Sequence, residues 1–296
     1  MLHILLATLA PLSAVIGLGF LWVRLGRPFD GATLGQLAAD IGMPCLALST
    51  LAQAEISVAA FMASAVAAFA CLTALAAAGA VALSLARLRL RTYLPAVTWG
   101  NSGFLGIPLS LYAFGHRALG YAVAFSAVSL VFNSAFSQAM AVGSVRIGVL
   151  ARSPLLYGVA LGVVAQILGV RLPDWIGNGV ALLGGIAIPL MLMMIGASIA
   201  RIRAVSLGRA FVFSWLRMAG GGGIGLSVAA CFGLSPIARH VLVLQCAMPV
   251  AVLSYVFAQR WNNNPEEVAS LVAVSTWSAA VSVPLMLGLM LGTAAH

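Results

Sequence analysis

The stretch Asn101-Ser102-Gly103-Phe104-Leu105-Gly106-Ile107-Pro108-Leu109 sits in the middle of a hydrophobic run. It puts a turn-forming Asn, two Gly and a Pro where a membrane helix should be continuous. Pro249, 141 residues after Pro108, stands in a comparable stretch, Gln245-Cys246-Ala247-Met248-Pro249-Val250-Ala251-Val252. Breaking a helix inside lipid leaves backbone N–H and C=O groups unpaired, each at a cost of several kcal/mol, unless they line a cavity in the protein. Two interrupted segments at corresponding places in two halves point to the binding site of a transporter.

Composition sets the class. Of 296 residues, 62% are hydrophobic and 7% charged, against roughly 25% charged in soluble domains. Spans of roughly 17–25 residues fill nearly the whole chain. Ten are expected, at about 4–23, 33–53, 58–85, 92–114, 118–143, 151–170, 175–200, 208–232, 236–259 and 268–292. The connections are short, so the reading is one integral membrane domain, all-α. The N-terminus Met1-Leu2-His3 has no basic n-region, and the first run reads as a retained helix rather than a signal peptide.

The net charge of +9 comes entirely from arginine. The arginines form no stripe with interleaved aromatics, which excludes a nucleic-acid partner. Instead, Arg24, Arg27, Arg87, Arg89, Arg91, Arg146, Arg152, Arg201, Arg203, Arg209 and Arg260 fall in odd-numbered connections, and only Arg117, Arg171 and Arg239 in even ones. By the positive-inside rule the odd connections face the cytoplasm. The expectation is a multi-pass protein of the cell (inner) membrane with both termini on the periplasmic or extracellular side. Cys45, Cys71, Cys231 and Cys246 lie inside hydrophobic runs without ligand spacing. They read as small apolar packing residues; no metal site and no cofactor is expected.

The chain divides into 1–148 and 149–296. Pro44 of the second span and Pro189 of the seventh are 145 residues apart, close to the offset of the two breaks. Each half holds an odd number of spans, so the second is inserted upside down relative to the first: an inverted 5+5 repeat, with broken helices 4 and 9 crossing near the midplane. The other reading is that two Pro pairs coincide in a Pro-tolerant membrane protein.

Pro108 lacks an N–H, and Gly103 and Gly106 permit unwound backbone, which predicts half-helices over about 92–101 and 108–114. A weaker break is expected around Pro249, which no Gly flanks. The N-terminal ends of the second half-helices carry unpaired N–H groups and about half a positive charge each, so they can hold a carboxylate with no Lys or Arg at the site. The expected substrate contacts are Asn101, Gly103, Gly106, Ile107 and Pro108 from the first break and Gln245, Met248, Pro249 and Val250 from the second. In the fifth span Ser126, Ser129, Asn133 and Ser137 share one helical face. Asn133 and Ser129 complete the candidate set, with interhelical hydrogen bonding as the other reading of that face.

Asp40 is the one acid well inside an expected span, and Arg217 lies at a comparable depth in the eighth. They read either as a structural salt bridge or as coupling groups. Glu55, Asp174, Glu266 and Glu267 fall at connections and read as solvated; Met191, Met193 and Met194 read as filler. The glycines at 220–223 with Gly225 follow no strand and read as close helix packing rather than a phosphate loop.

The 101–109 motif resembles the Asn-(Ser/Thr)-x-x-(Leu/Met)-Gly-Ile-Pro-Leu signature of the auxin efflux carrier family, which includes plant auxin exporters and bacterial carriers of malonate, malate and related acids. The stretch from Gln245 to Pro265, with Tyr255-Val256-Phe257-Ala258 and Asn262-Asn263-Asn264-Pro265, is similar to that family's ninth helix and following loop. Gly196-Ala197-Ser198 and Arg217 also fit. The resemblance implies a bacterial member, malonate- or malate-carrier-like, within the bile acid and auxin transporter superfamily. It further implies ten helices with the fourth and ninth crossing as an X, a carboxylate held by Asn101 and Asn133, and a homodimer through scaffold helices. The plant members' long central loop is absent here, which argues against auxin as the substrate. The related bile-acid-type sodium symporters place acids beside their crossover; no Asp or Glu stands beside either break, which disfavours sodium.

The reading is therefore a secondary carrier of small organic anions, mono- or dicarboxylates, working by alternating access, with the lipid bilayer as its other partner. A sodium- or proton-coupled symporter of the bile-acid-transporter type is the alternative, as is a membrane channel or sensor. An enzyme is not expected: the chain has no His-Glu-x-x-His and no partnered Ser nucleophile motif.

Overall fold

The computed structural model describes residues 2–52, 56–144, 148, 152–170, 172–201 and 207–293. Glu55, Arg146, Arg171 and Arg203, weighed above, lie outside the described residues, as do the start of the expected sixth span and residue 149 at the division between the halves.

The chain is nearly all helix. It runs α1 (Leu2–Arg24), α2 (Gly31–Leu37), a π-helical turn (Ala38–Gly42), α3 (Met43–Ala52), α4 (Val58–Leu85), α5 (Leu90–Thr98), a second π-helical turn (Ser102–Gly106), α6 (Ile107–Phe114) and α7 (Arg117–Val142). Then follow α8 (Pro154–Ile167), α9 (Asp174–Arg201), α10 (Leu207–Cys231), α11 (Pro236–Cys246), α12 (Val252–Arg260) and α13 (Pro265–Thr293). Local chemistry fixes the ends. Asp30 accepts from the N–H groups of Ala32 and Thr33 to start α2, Ser57 accepts from Ala60 to start α4, and Ser235 accepts from Ala238 ahead of α11. Gly115 and Gly143, at φ 80 and 71, end α6 and α7 in a conformation other residues avoid.

Among the described residues, six segments are long and apolar enough to cross a membrane: Leu6–Arg24, Gly31–Ala52, Val58–Leu85, Arg117–Met140, Asp174–Arg201 and Pro265–Met290. The expected fourth and ninth spans are each two short helices, and α8 is 14 residues long, shorter than the 151–170 expected for the sixth. Among the described residues there is no strand, only one isolated antiparallel bridge, Gly100 with Val250.

Lipid tails are as apolar as leucine, so helices associate in a membrane mainly by close packing. Small residues provide it. On α1 and α9, a Cβ added to Gly19 would lie 2.8 Å from Met193 Cα, and one on Gly196 would lie 2.7 Å from Phe20 N. Against α3, α8 does the same: Gly158 faces Pro44 Cα at 2.6 Å and Gly162 faces Leu51 Cβ at 2.7 Å. The two Pro-containing segments also touch, Gly42 against Ala187 and Gly184 against Leu46. On α10, Gly221 and Gly225 admit the end of α11, but Gly220 and Gly223 meet nothing within 4 Å, so only part of that glycine run serves packing.

The arginine-rich end is tied together through the Asn turn. Thr92 donates to Asn263 at 3.0 Å, Asn263 donates to Arg91 C=O at 2.5 Å, and Asn264 donates to Thr92 at 3.3 Å. Glu267, expected to be solvated, instead pairs with Arg209 at 2.8 Å and accepts from the Tyr93 hydroxyl at 3.0 Å. The reason is packing: α13 begins beside α5, and the acid faces both partners.

Gly196→Leu is expected to destabilise the protein by about 3 kcal/mol through overpacking of α1 on α9. Gly179→Ala, where nothing lies within 4 Å, is expected to be neutral or slightly stabilising. Thermal unfolding in detergent measures both, and equal melting temperatures would refute the packing account.

Candidate functional site

The two interrupted segments pair backbone to backbone. Asn101 N–H donates to Pro249 C=O at 2.7 Å, and Ala251 N–H donates to Trp99 C=O at 2.9 Å. Val250 N–H reaches Ser275 Oγ on α13 at 3.0 Å. Pro249 has no N–H to satisfy, which suits it to the unwound stretch. Groups that lipid would leave orphaned therefore find partners across the crossing.

The breaks differ from expectation in place and length. The first is helix-free only over 99–101; Asn101 C=O then accepts from both Leu105 N–H (3.2 Å) and Gly106 N–H (3.0 Å), which starts the π turn and leads straight into α6. Pro108 thus lies inside the restarted helix, at the start of α6, where its fixed φ suits helical backbone. The second break, expected to be the weaker, is the longer, with residues 247–251 outside helix. A side chain from another helix meets the carbonyls freed there. Arg217 Nη1 on α10 donates to the C=O of Cys246 at 3.1 Å and to that of Met248, holding the end of α11 open.

A cavity of about 510 Å³ adjoins the crossing. Its wall takes residues 99–104 at the first break, Ala251, Val252, Leu253 and Val256 at the second, and Ser126 and Leu130 from α7. Gly31, Gly35, Gln36, Asp40 and Met43 line it from the second span, Met194 from α9, and Ser153, Pro154 and Leu155 from the start of α8. It therefore reaches toward the ends of α2 and α8 that follow the first and fifth connections. Asn101 is 5% exposed, and its Nδ2 has no hydrogen-bond partner. The backbone N–H groups of Gly103 and Phe104, in the first turn after the break, find no acceptor among the described residues. Those of Val252 and Leu253, opening α12, are in the same position. Two helix N-terminal ends with unused N–H groups thus border the cavity, and such ends favour a negative charge.

Of the residues singled out from sequence, Asn101, Gly103 and Ser126 line this cavity, as does Asp40. The others stand behind or beside it. Ile107, Pro108, Met248 and Val250 are buried in the packing around the crossing, with Pro249 inside it. Gly106 makes room for Gln245: a Cβ there would fall 2.8 Å from Gln245 Cδ. Gln245 is fully buried, with Nε2 3.5 Å from Ser110 Oγ and no partner for Oε1. Asn133 is fully buried too; Nδ2 donates to Ser129 C=O (2.8 Å) and Ser129 Oγ (3.1 Å), while Oδ1 has no partner.

Asp40 and Arg217 form no ion pair. Asp40 is exposed on the first π turn, facing the cavity, whereas Arg217 is buried against the end of α11. Arg217 is not among the residues that line this cavity but packs against Gly100, which is. Sequence reasoning missed Gln36, Met194, Val252 and Leu253. Gln36 could have been found, lying one helical turn before Asp40 on the same face; Met194 and the backbone donors of α12 carry no side-chain signature.

A second cavity, about 380 Å³, lies at the far end of α6 and is lined by Ser49, Thr50, His116 and Arg117 among others. One apolar cluster, with Met43, Leu46, Phe104, Ile107, Leu111 and Ile188, contributes to both walls. Among the described residues no three His, Cys, Asp or Glu side chains converge as a metal site would require.

Residues 138–287 match a family described as membrane transport protein, half of the chain. Along nearly its whole length the chain is similar to an uncharacterized transporter of Methanothermobacter thermautotrophicus, 26% identical over 295 residues, covering 94% of this chain and 96% of that protein. It is also similar to auxin efflux carrier component 1 of Arabidopsis thaliana, 23% identical over 140 residues. That match covers 46% of this chain and 22% of the plant protein.

Gly106→Ala is expected to push Gln245 from its place and destabilise the protein by about 1–3 kcal/mol. Adding Gln245→Ala should recover much of that loss. A double-mutant cycle in thermal or denaturant unfolding measures the coupling, and simple additivity would show that the two residues do not share the space.

Proposed function

This chain belongs to the membrane transport protein family and is a transmembrane transporter of the auxin efflux carrier kind, and from that premise we propose that it is a secondary carrier of small organic anions. It is a transporter and not an enzyme. The observation that carries the proposal is the cavity beside the two breaks, whose lining residues include both helix starts. Asn101, with its Nδ2 unpartnered, and Gly103, Phe104, Val252 and Leu253, with free backbone N–H groups, all border a space of about 510 Å³. That is room for a mono- or dicarboxylate, and helix N-terminal ends beside a low-dielectric cavity favour negative charge.

The proposal includes the architecture. We read ten spans as two inverted halves, 1–148 and 149–296. What supports this is reciprocity: the first span packs on the seventh as the sixth packs on the second. The Pro-bearing second and seventh meet each other, as do the breaks of the fourth and ninth. Alternating access follows from two cavities on either side of one apolar cluster: loosening that cluster while closing the arginine-rich end would pass the site from one face to the other. In a cell (inner) membrane with the arginine-rich connections in the cytoplasm, both termini would lie outside and the cavity beside the breaks would face inward. An interior-negative potential drives a monovalent anion outward by about 2.3 kcal/mol per 100 mV, enough for uncoupled export. A homodimer belongs to the same reading and rests on the family resemblance.

A second reading, a proton-coupled carrier, is favoured by one observation. Asp40 is exposed in the same cavity, and a carboxylate there repels an anion unless it carries a proton.

Flux in proteoliposomes tests these readings. Uptake of acetate, lactate, malonate and malate should saturate and should discriminate the enantiomers of lactate and malate, and a pH gradient should alter the rate only if the carrier is proton-coupled. Asn101→Ala should reduce flux at least tenfold with normal expression. Non-saturable flux would indicate a channel, and wild-type flux in Asn101→Ala would sink the site assignment.

A further inference from the structure

Arg217 is 2% exposed on α10 and has no carboxylate partner among the described residues. Its Nη1 donates to the C=O groups of Cys246 and Met248, at and just beyond the end of α11. One turn along α10, Gly221 lets the Cys246 carbonyl approach the helix backbone. Gly100 also lies against it, lining the cavity of about 510 Å³; its Cβ, if present, would be 3.1 Å from Arg217 Cζ. The guanidinium is therefore separated from the cavity by a single stretch of backbone.

An interrupted helix has an electrostatic problem. Each break sets a C-terminal end, about half a negative charge, close to an N-terminal end of about half a positive charge. Two crossed breaks bring two of each together, and their fields on a ligand at the crossing largely cancel. At α5 the Thr98 hydroxyl turns back on its own helix, donating to Leu94 C=O at 2.8 Å. At α11 a full positive charge meets the last carbonyl of the helix, that of Cys246.

We infer that Arg217 is a charge-setting positioning residue: by neutralising the C-terminal end of α11 behind Gly100, it leaves the helix starts at Gly103 and Val252 uncancelled and makes the cavity select for anions by charge. The inference rests on the anion-carrier reading. It has support beyond the helix ends, since Asn101, 5% exposed and with its Nδ2 unpartnered, lines the same cavity. Arg217 itself makes no contact with the ligand. Gly100 carries the consequence, because any side chain there would displace the guanidinium.

The test compares ligands of different charge, which a purely structural role would not distinguish. Inhibition constants of malonate and acetate are measured against uptake of a labelled acid from the flux panel, in wild type, Arg217→Lys and Arg217→Gln. A unit charge about 8 Å from each carboxylate, at an effective dielectric of about 20, changes affinity by roughly tenfold or more per ligand charge. Arg217→Gln should weaken acetate about tenfold and malonate about a hundredfold, while Arg217→Lys keeps the malonate-to-acetate ratio within about threefold of wild type. Unchanged constants, an equal fall for both acids, or Lys behaving as Gln would overturn the inference. If Arg217→Gln does not yield folded protein, Gly100→Ala takes its place: loss of the malonate preference supports the inference, and its retention overturns it. Failure of the wild type to carry any acid of the panel is a different result, which removes the anion-carrier reading itself.

Discussion

Everything in this molecule is arranged around two pairs of backbone atoms. A membrane helix satisfies its own N–H and C=O groups, and a chain that interrupts one must satisfy them another way. Here Asn101 N–H meets Pro249 C=O and Ala251 N–H meets Trp99 C=O, so each break supplies the other's missing partner. Neither break is tolerable alone. This mutual dependence fixes how α5, α6, α11 and α12 approach, and the remaining helices pack to hold that approach in register. The glycine contacts of α1 with α9 and of α8 with α3 are part of that frame.

The donors left over define the site. After the crossing bonds are made, the first turns after each break still hold free N–H groups, and Asn101 Nδ2 still lacks an acceptor. The residues that carry them border the cavity that the second span, α7 and the start of α8 enclose. Structural need and binding capacity thus share an origin, because interrupting the helices creates both the demand for the crossing and the surplus of donors beside it.

Much of this was legible in the residues. Asn101, the two glycines and Pro108 marked the first break, Pro249 marked the second, and the membrane class followed from composition. What the letters could not convey is where backbone atoms go. The break at 99–101 precedes the Gly-Pro signal because the π turn is set by which carbonyl Leu105 and Gly106 share, and no side chain reports that. The role of Arg217 was hidden for a similar reason: charged residues are read by looking for charged partners, and its partners are carbonyls of Cys246 and Met248. Glu267 erred in the opposite direction. It read as a solvated loop acid, and only the juxtaposition of α13 with α5 and α10 gives it Arg209 and Tyr93.

The crossing is made by main-chain atoms, and that has a bearing on descent. A contact written in side chains constrains the sequence that makes it, and every drift in one partner must be answered in the other. A contact written in peptide groups is encoded by nearly any residue, provided that bulky ones stay out of positions such as Gly100 and Gly106. The lining around such a joint is then free to diversify, one residue at a time, without endangering the fold. A lineage built on it can change what it carries far more readily than how it is built, and sequence identity should erode faster at the cavity wall than at the joint.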